Sequence, residues 1–364
     1  MVGGADVVSR LPEVMPAAVY QGPGRVAVEE RPVPRPSGGE VLVEVDHCGI
    51  CGSDIHLLHE GWAGNRPGLV AGHEFSGRIV ALGDGVAGWA VGEEVVAGSS
   101  PRCGRCRRCL EGKPSQCENR DGSIVDGHDG AFARYAVIRA DALLRVPDGL
   151  TAREAALAEP LAVALHGITR SGAAEGDRVM VIGVGPIGAL SIAALRARGI
   201  GPVLAVEPSE KRRRLAADLG ADEVLEPSEL ELFAPWEPER IAGRAVHVVL
   251  ECSGKKAAIE AGFQQLGRGG TLVLVGAGME APSFDPNRLL LNELVVCGSF
   301  VYDSDGFERA LALLASGALP TERLIEPDDV PLDGLGAALG ALARGEVAGK
   351  VMIVPRRHEH RGAG

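Results

Sequence analysis

Apolar residues along this chain follow two rhythms. From Glu40 to Val45 they alternate, with Val41, Val43 and Val45 on one face, which predicts a half-buried strand. Pro- and Gly-rich stretches such as Arg31 to Gly39 flank it. Short β-type runs with glycine turns continue through Val96, as in an antiparallel, barrel-like domain. Thr151-Ala152-Arg153-Glu154 has the form of a capping box and starts a helix. From Val179 the rhythm changes. Val179 to Ile182 is a continuous apolar run, as expected for a strand covered on both faces. Pro186 to Arg198 suits a helix and Val203 to Val206 the next strand. Further strands are expected at Val246 to Leu250, Thr271 to Val275 and Leu294 to Cys297. This alternation builds a parallel, doubly wound sheet. A helix at Gly306 to Ala315 and a strand around Val351 to Val354 are placed as a return to the first domain, and the tail from Arg356 as disordered.

Composition refines this picture. A chain of 364 residues with 46% hydrophobic content can form two domains with real cores. A net charge of −12 argues against a nucleic-acid or anionic-membrane partner. No apolar run approaches the roughly 18 residues of a membrane span. Met1 to Met15 does not read as a signal peptide. Eight cysteines in such a chain predict reduced thiols, a cytoplasmic setting and metal binding, not a disulfide framework.

Four of those cysteines stand at Cys103-x2-Cys106-x2-Cys109-x7-Cys117, in a loop with Gly104, Gly112 and Pro114. Thiolates so closely spaced can converge on one tetrahedral structural zinc. A second, catalytic site is available upstream. Cys51, His73 and either Glu74 or Glu159 would supply three protein ligands and leave a fourth position open. The metal there would act as a Lewis acid on an alcohol oxygen. Cys48 reads as structural, and His47, His166 and His247 as satisfied histidines. Gly183-x-Gly185-Pro186-Ile187-Gly188 follows a strand and opens a helix, the context that makes a glycine motif a dinucleotide site. Glu207 ends the next strand, where a carboxylate accepts ribose hydroxyls and repels a 2′-phosphate; that favours NAD over NADP, although Arg212 nearby could welcome a phosphate.

Together these residues resemble the zinc-containing medium-chain alcohol dehydrogenase family, across about Pro16 to Val354. The segment Gly72-His73-Glu74-x2-Gly77-x5-Gly83-x2-Val86 fits its zinc signature, and Cys51-Gly52-Ser53-Asp54-x-His56 precedes it in the family's order. Glu159-Pro160-Leu161 is similar to the sorbitol and butanediol dehydrogenase branch. The resemblance implies an α/β protein. A GroES-like antiparallel β-barrel catalytic domain would span 1–161 and 301–364, and a Rossmann domain 162–300. It implies two zincs per chain, NAD, and a homo-oligomer, tetramer or dimer. Cys51 and His73 look like the invariant zinc ligands, with the choice between Glu74 and Glu159 open. Ser53 would take the substrate proton and pass it through the cofactor ribose towards His56, and Asp54 would orient a ligand. Val275, Ser299 and Val301 join the glycines, Glu207 and Arg212 as cofactor-facing residues. Sorbitol-type enzymes carry an arginine where this chain has Val301 and an aromatic where it has Leu57. Both changes favour a less hydroxylated secondary alcohol, a diol or a cyclic alcohol, with Trp62 a further pocket candidate. The expected reaction is zinc-dependent hydride transfer between that alcohol and NAD. Alternatives are a redox-neutral epimerase- or lyase-type enzyme that retains NAD, and an NADPH-dependent carbonyl reductase. A non-catalytic zinc scaffold is disfavoured by the intact Cys51, Ser53, His56, His73 and Glu159.

Overall fold

A computed structural model describes residues 11–60, 67–97, 102–119 and 129–356. The chain divides into two compact units: 1–159 with 326–344 and 350–364, and 160–325 with 345–349. Trp62 and the tail beyond Arg356 lie outside the described residues.

The first unit begins with a hairpin, β1 (Val14–Gly22) and β2 (Arg25–Pro32). Then come β3 (Glu40–Gly49), β4 (Glu74–Leu82), β5 (Glu94–Ala97), β6 (Tyr135–Arg139) and β7 (Leu143–Arg145). β3 is the hub, pairing antiparallel with both β4 and β6. Val41, Val43 and Val45 are buried as expected, but so is Leu42 on the other face. The start of β3 is therefore covered on both faces, so its burial is wider than the alternation alone predicts. Thr151 caps the helix Ala152–Ala155 with the capping box closed: its hydroxyl accepts the Glu154 N–H at 3.2 Å, and the Glu154 carboxylate accepts the Thr151 N–H at 3.1 Å.

The second unit holds β8 (Val179–Ile182), β9 (Val203–Val206), β10 (Glu223–Leu225), β11 (Val246–Glu251), β12 (Leu266–Leu274) and β13 (Val295–Gly298). All pairs are parallel, in the order β10-β9-β8-β11-β12-β13. That is the doubly wound order, with its switch point beside β8. β8 and β9 are buried at every position, which is why they read as unbroken apolar runs. The three-residue β10 is too short to show a period and was not expected. This unit runs on through Ile325, past residue 300, because the short helix Thr321–Leu324 packs on the helix Pro186–Ala197.

The chain then re-enters the first unit with β14 (Val330–Pro331) and β15 (Met352–Val354). β15 pairs antiparallel with the end of β3, Met352 opposite Gly49 and Ile353 opposite Cys48. This register matters because it carries Lys350 into the interior beside Ile50 and Glu74.

Candidate metal and dinucleotide sites

In the first unit, Cys51 immediately precedes the helix Gly52–Glu60, and His73 and Glu74 stand where β4 begins. Their ligand atoms lie within 4.8 Å of one another. Backbone space dictates the glycines around them. Gly72 has φ +97°, and a Cβ there would lie 2.8 Å from Phe132 N and 2.9 Å from Cys48 Sγ. A Cβ on Gly49 would lie 2.5 Å from a Glu74 oxygen. The buried Asp54 accepts the Cys51 N–H at 2.9 Å and stands 4.0 Å from His73 Nδ1, so it both caps the turn and faces His73. Ser53 and His56 share one face of the helix, three residues apart. The Ser53 hydroxyl is buried and has no hydrogen-bond partner among the described residues.

Sequence reasoning missed Lys350. Its ammonium, 1% exposed, donates to both Glu74 oxygens at 2.8 and 2.6 Å and to the Ile50 carbonyl at 3.0 Å. A lone lysine inside Val347-Ala348-Gly349-Lys350-Val351-Met352 was the available signal. Only the pairing of β15 shows that it points inward.

The donor set suits a divalent cation. Burial lifts the Glu159 carboxyl to about 7, with Glu74 adding to the rise. Asp54 is raised, first by burial. Burial would lower His73, but the Cys51 sulfur, Asp54 and Glu159 outweigh it and hold the imidazole well above its usual range. Without a cation, these groups cling to protons. Folded values raised above unfolded ones give stability that is full at low pH and is lost as pH climbs through the folded pKa. Chelator-treated protein is therefore expected to melt lower at about pH 8 than at about pH 5. Added zinc, which binds the deprotonated donors, should reverse that slope. A chelated protein with a flat profile would contradict this.

The four-cysteine loop closes as its spacing demands. Cys103, Cys106, Cys109 and Cys117 bring their sulfurs within 4.8 Å of one another, and all are free thiols. Cys103 Sγ accepts N–H groups from Asn119 at 3.2 Å and Cys106 at 3.3 Å. The Asn119 bond leads in lowering this thiol to about 6. Sulfurs that gather N–H donors and share one point fit a closed tetrahedral zinc.

In the second unit, each motif glycine has a separate task. Gly183 has φ +85° and makes the tight turn after β8. A Cβ on Gly185 would meet nothing within 4 Å, which leaves open space above the N-terminus of the helix begun by Pro186 and Ile187. A Cβ on Gly188 would stand 1.9 Å from the Gly183 carbonyl oxygen, so only glycine lets the helix pack there. Open space over free N–H groups is where a pyrophosphate binds.

Glu207, 3% exposed, accepts the Val184 N–H at 2.7 Å and the Ser209 N–H at 3.0 Å. It thus braces the glycine turn, with lone pairs left on each oxygen. Arg212 donates from Nε to the Val347 carbonyl at 2.9 Å. Its neighbour Arg213, missed from sequence, donates to the Glu207 and Pro208 carbonyls at 3.0 and 2.7 Å. Val275 follows β12 and Ser299 follows β13, at the carboxyl ends where ligands bind in such sheets. The Ser299 hydroxyl is buried without a hydrogen-bond partner among the described residues. Val301 has φ +45°, a strained value for a β-branched residue. His166 and His247 have polar partners as expected, whereas His47 Nδ1 is buried without a hydrogen-bond partner among the described residues. His47 and His166 face Asp329 and Asp303, and His247 accepts the Arg178 N–H at 2.9 Å.

Sequence comparison agrees with this geometry. Residues 37–148 match the alcohol dehydrogenase GroES-like domain, and residues 186–316 match the zinc-binding dehydrogenase domain. The chain belongs to the zinc-containing medium-chain alcohol dehydrogenases, which makes it an NAD(P)-dependent oxidoreductase. A sorbitol dehydrogenase from Bacillus subtilis (strain 168) is 33% identical over 355 residues, 95% of this chain and 99% of its own. The solved 2R,3R-butanediol dehydrogenase from Bacillus subtilis matches with a TM-score of 0.81 at 29% identity, over 94% of this chain and 100% of its own. Acetophenone reductase from Geotrichum candidum NBRC 4597, solved with NAD, gives a TM-score of 0.83 at 27% identity, over 95% and 98%. Among the described residues no helix is long and apolar enough to cross a membrane.

Proposed function

We propose that this enzyme oxidises a secondary alcohol, preferably a small diol, to the ketone with NAD, and holds two zincs per chain. The observation that carries the reading is the convergence of the Cys51, His73 and Glu74 donor atoms within 4.8 Å. These three would hold the catalytic zinc, with Glu159 in reserve beside them. Cys103, Cys106, Cys109 and Cys117 would hold the structural one. Zinc would supply Lewis acidity at the substrate oxygen, and the nicotinamide the hydride acceptor. The chain's own residues do the rest. The Ser53 hydroxyl accepts the substrate proton, and His56, three residues along the same helix face, is the next acceptor outward. Asp54 fixes Cys51 and His73, and Lys350 fixes Glu74. Glu207 at the ribose position supports NAD over NADP, and the apolar Leu57 and Val301 support a substrate poorer in hydroxyls than sorbitol.

Two finer points follow from the same reading. β13 is the edge of its sheet, and Val295, Phe300, Leu290 and Leu291 are 49%, 48%, 72% and 49% exposed. An apolar edge strand of this kind supports a homo-oligomer, a dimer or tetramer built across it. The thiolate-rich sites support a reducing, cytoplasmic setting.

The test is nicotinamide reduction with NAD or NADP across secondary alcohols, vicinal diols, polyols and sugars, with zinc analysis of Glu74→Gln and Glu159→Gln. Faster turnover of diols than sorbitol with NAD is expected, and Glu74→Gln should lose the catalytic zinc more readily than Glu159→Gln. Preference for sorbitol would sink the substrate proposal. Greater zinc loss from Glu159→Gln would reassign the third ligand.

A further inference from the structure

The dinucleotide unit contains a second buried carboxylate that the glycine motif does not explain. Glu251, the last residue of β11, is 0% exposed. Its oxygens are satisfied by the turn that follows it. Oε1 accepts the Ser253 N–H at 2.8 Å, the Gly254 N–H at 3.1 Å and the Ser253 hydroxyl. Oε2 accepts the same Gly254 N–H at 3.1 Å. Its backbone carbonyl takes N–H groups from Val275 and Gly276, each at 2.9 Å. A fully buried carboxylate is costly unless N–H and O–H donors compensate it. Here the compensating donors all belong to one short turn, so the acid and the turn constrain each other.

That turn is wedged between two others. A Cβ on Gly183 would lie 2.7 Å from Ser253 Cβ. On the other side, a Cβ on Gly276 would lie 2.3 Å from Gly254 N, and one on Gly278 1.9 Å from Gly254 O. Any shift of residues 252–254 therefore presses on the pyrophosphate turn after β8 and on the segment that follows β12. Both lie at the carboxyl ends of the central strands, where a dinucleotide binds in an open parallel sheet.

We infer that Glu251 is a positioning residue for the nicotinamide cofactor: by clamping residues 252–254 it holds the glycine turn of β8 and the start of the 275–278 turn in binding geometry. The inference rests on the NAD-dependent reading. Glu251 acts through this turn, and its loss should appear in cofactor affinity, leaving the chemical step nearly untouched.

The test uses the full-length, zinc-loaded enzyme. Glu251→Gln keeps the shape but turns one acceptor oxygen into a donor that faces other donors. Its dissociation constant for NAD, measured by calorimetric titration, should rise about tenfold, and the NAD KM with it. The kcat and alcohol KM should stay within about twofold. Ser253→Ala removes only the hydroxyl donor and should raise the same constants about threefold. Glu251→Asp, with the charge kept on a shorter arm, should fall between wild type and Glu251→Gln. A purely structural role would lower the melting temperature and the active fraction without moving KM. Wild-type NAD affinity in folded Glu251→Gln overturns the inference, as does wild-type affinity in Ser253→Ala if the glutamine variant does not fold. A wild-type enzyme that binds neither NAD nor NADP would overturn the cofactor reading as well.

Discussion

Cys51→Ser is expected to reduce kcat/KM by at least about a thousandfold while leaving a folded protein that still binds NAD. Serine is neutral at pH 7 and offers zinc a weak oxygen where cysteine offers a thiolate. Lewis-acid stabilisation at the substrate oxygen contributes several kcal/mol, so its loss spans about three decades in rate. The fold should survive, because the contact that shapes the turn is the Cys51 backbone N–H to Asp54, which serine retains. NAD binding should survive because the glycine turn lies in the other compact unit. Zinc per chain should fall from two to one. Cys103→Ser should also release one zinc, with the opposite consequence. Its sulfur organises N–H donors from Cys106 and Asn119, so the variant should melt at a lower temperature and lose activity only as it unfolds. Retained turnover in Cys51→Ser, or unchanged metal and melting in Cys103→Ser, would remove the corresponding assignment.

Lys350→Met should destabilise metal-free protein by about 3–5 kcal/mol, the usual cost of leaving one partner of a buried ion pair uncompensated. Glu74 is 0% exposed and both its oxygens rest on the Lys350 ammonium. Burial alone would lower the lysine, yet Glu74 wins and its pKa is raised. A raised folded value gives stability that is complete below the ordinary lysine pKa and is lost only in alkali, so the wild-type protein keeps the lysine's contribution across the neutral range. Two additions separate electrostatics from packing. Saturating zinc, which also neutralises Glu74, should shrink the deficit. The double variant Lys350→Met with Glu74→Gln should recover much of the stability, because the uncompensated charge is gone. Denaturant unfolding of the four proteins, with and without zinc, measures both effects. A single variant no less stable than wild type would show that the pair contributes no net stability.

Much of this enzyme was legible in its sequence because local rules governed it. Val179 to Ile182 and Val203 to Val206 are buried on both faces, and an unbroken apolar run announces that directly. The four cysteines lie within one short loop, so their spacing already encodes a tetrahedral cluster. The motif glycines are dictated by φ and by close approach, which act over a few residues. What the sequence left open depended on distant segments meeting. The choice between Glu74 and Glu159 depends on which carboxylate the fold brings beside Cys51 and His73, and it is the Glu74 oxygen that lies within 4.8 Å of both. Lys350 reads as an ordinary lysine until β15 pairs with β3 and turns it inward. Glu251 reads as a strand terminus until its turn is found between two glycine turns. Short-range sterics and periodicity are written residue by residue. A buried charge is tolerated only where its compensating partners arrive from elsewhere in the fold, and only the tertiary structure decides that.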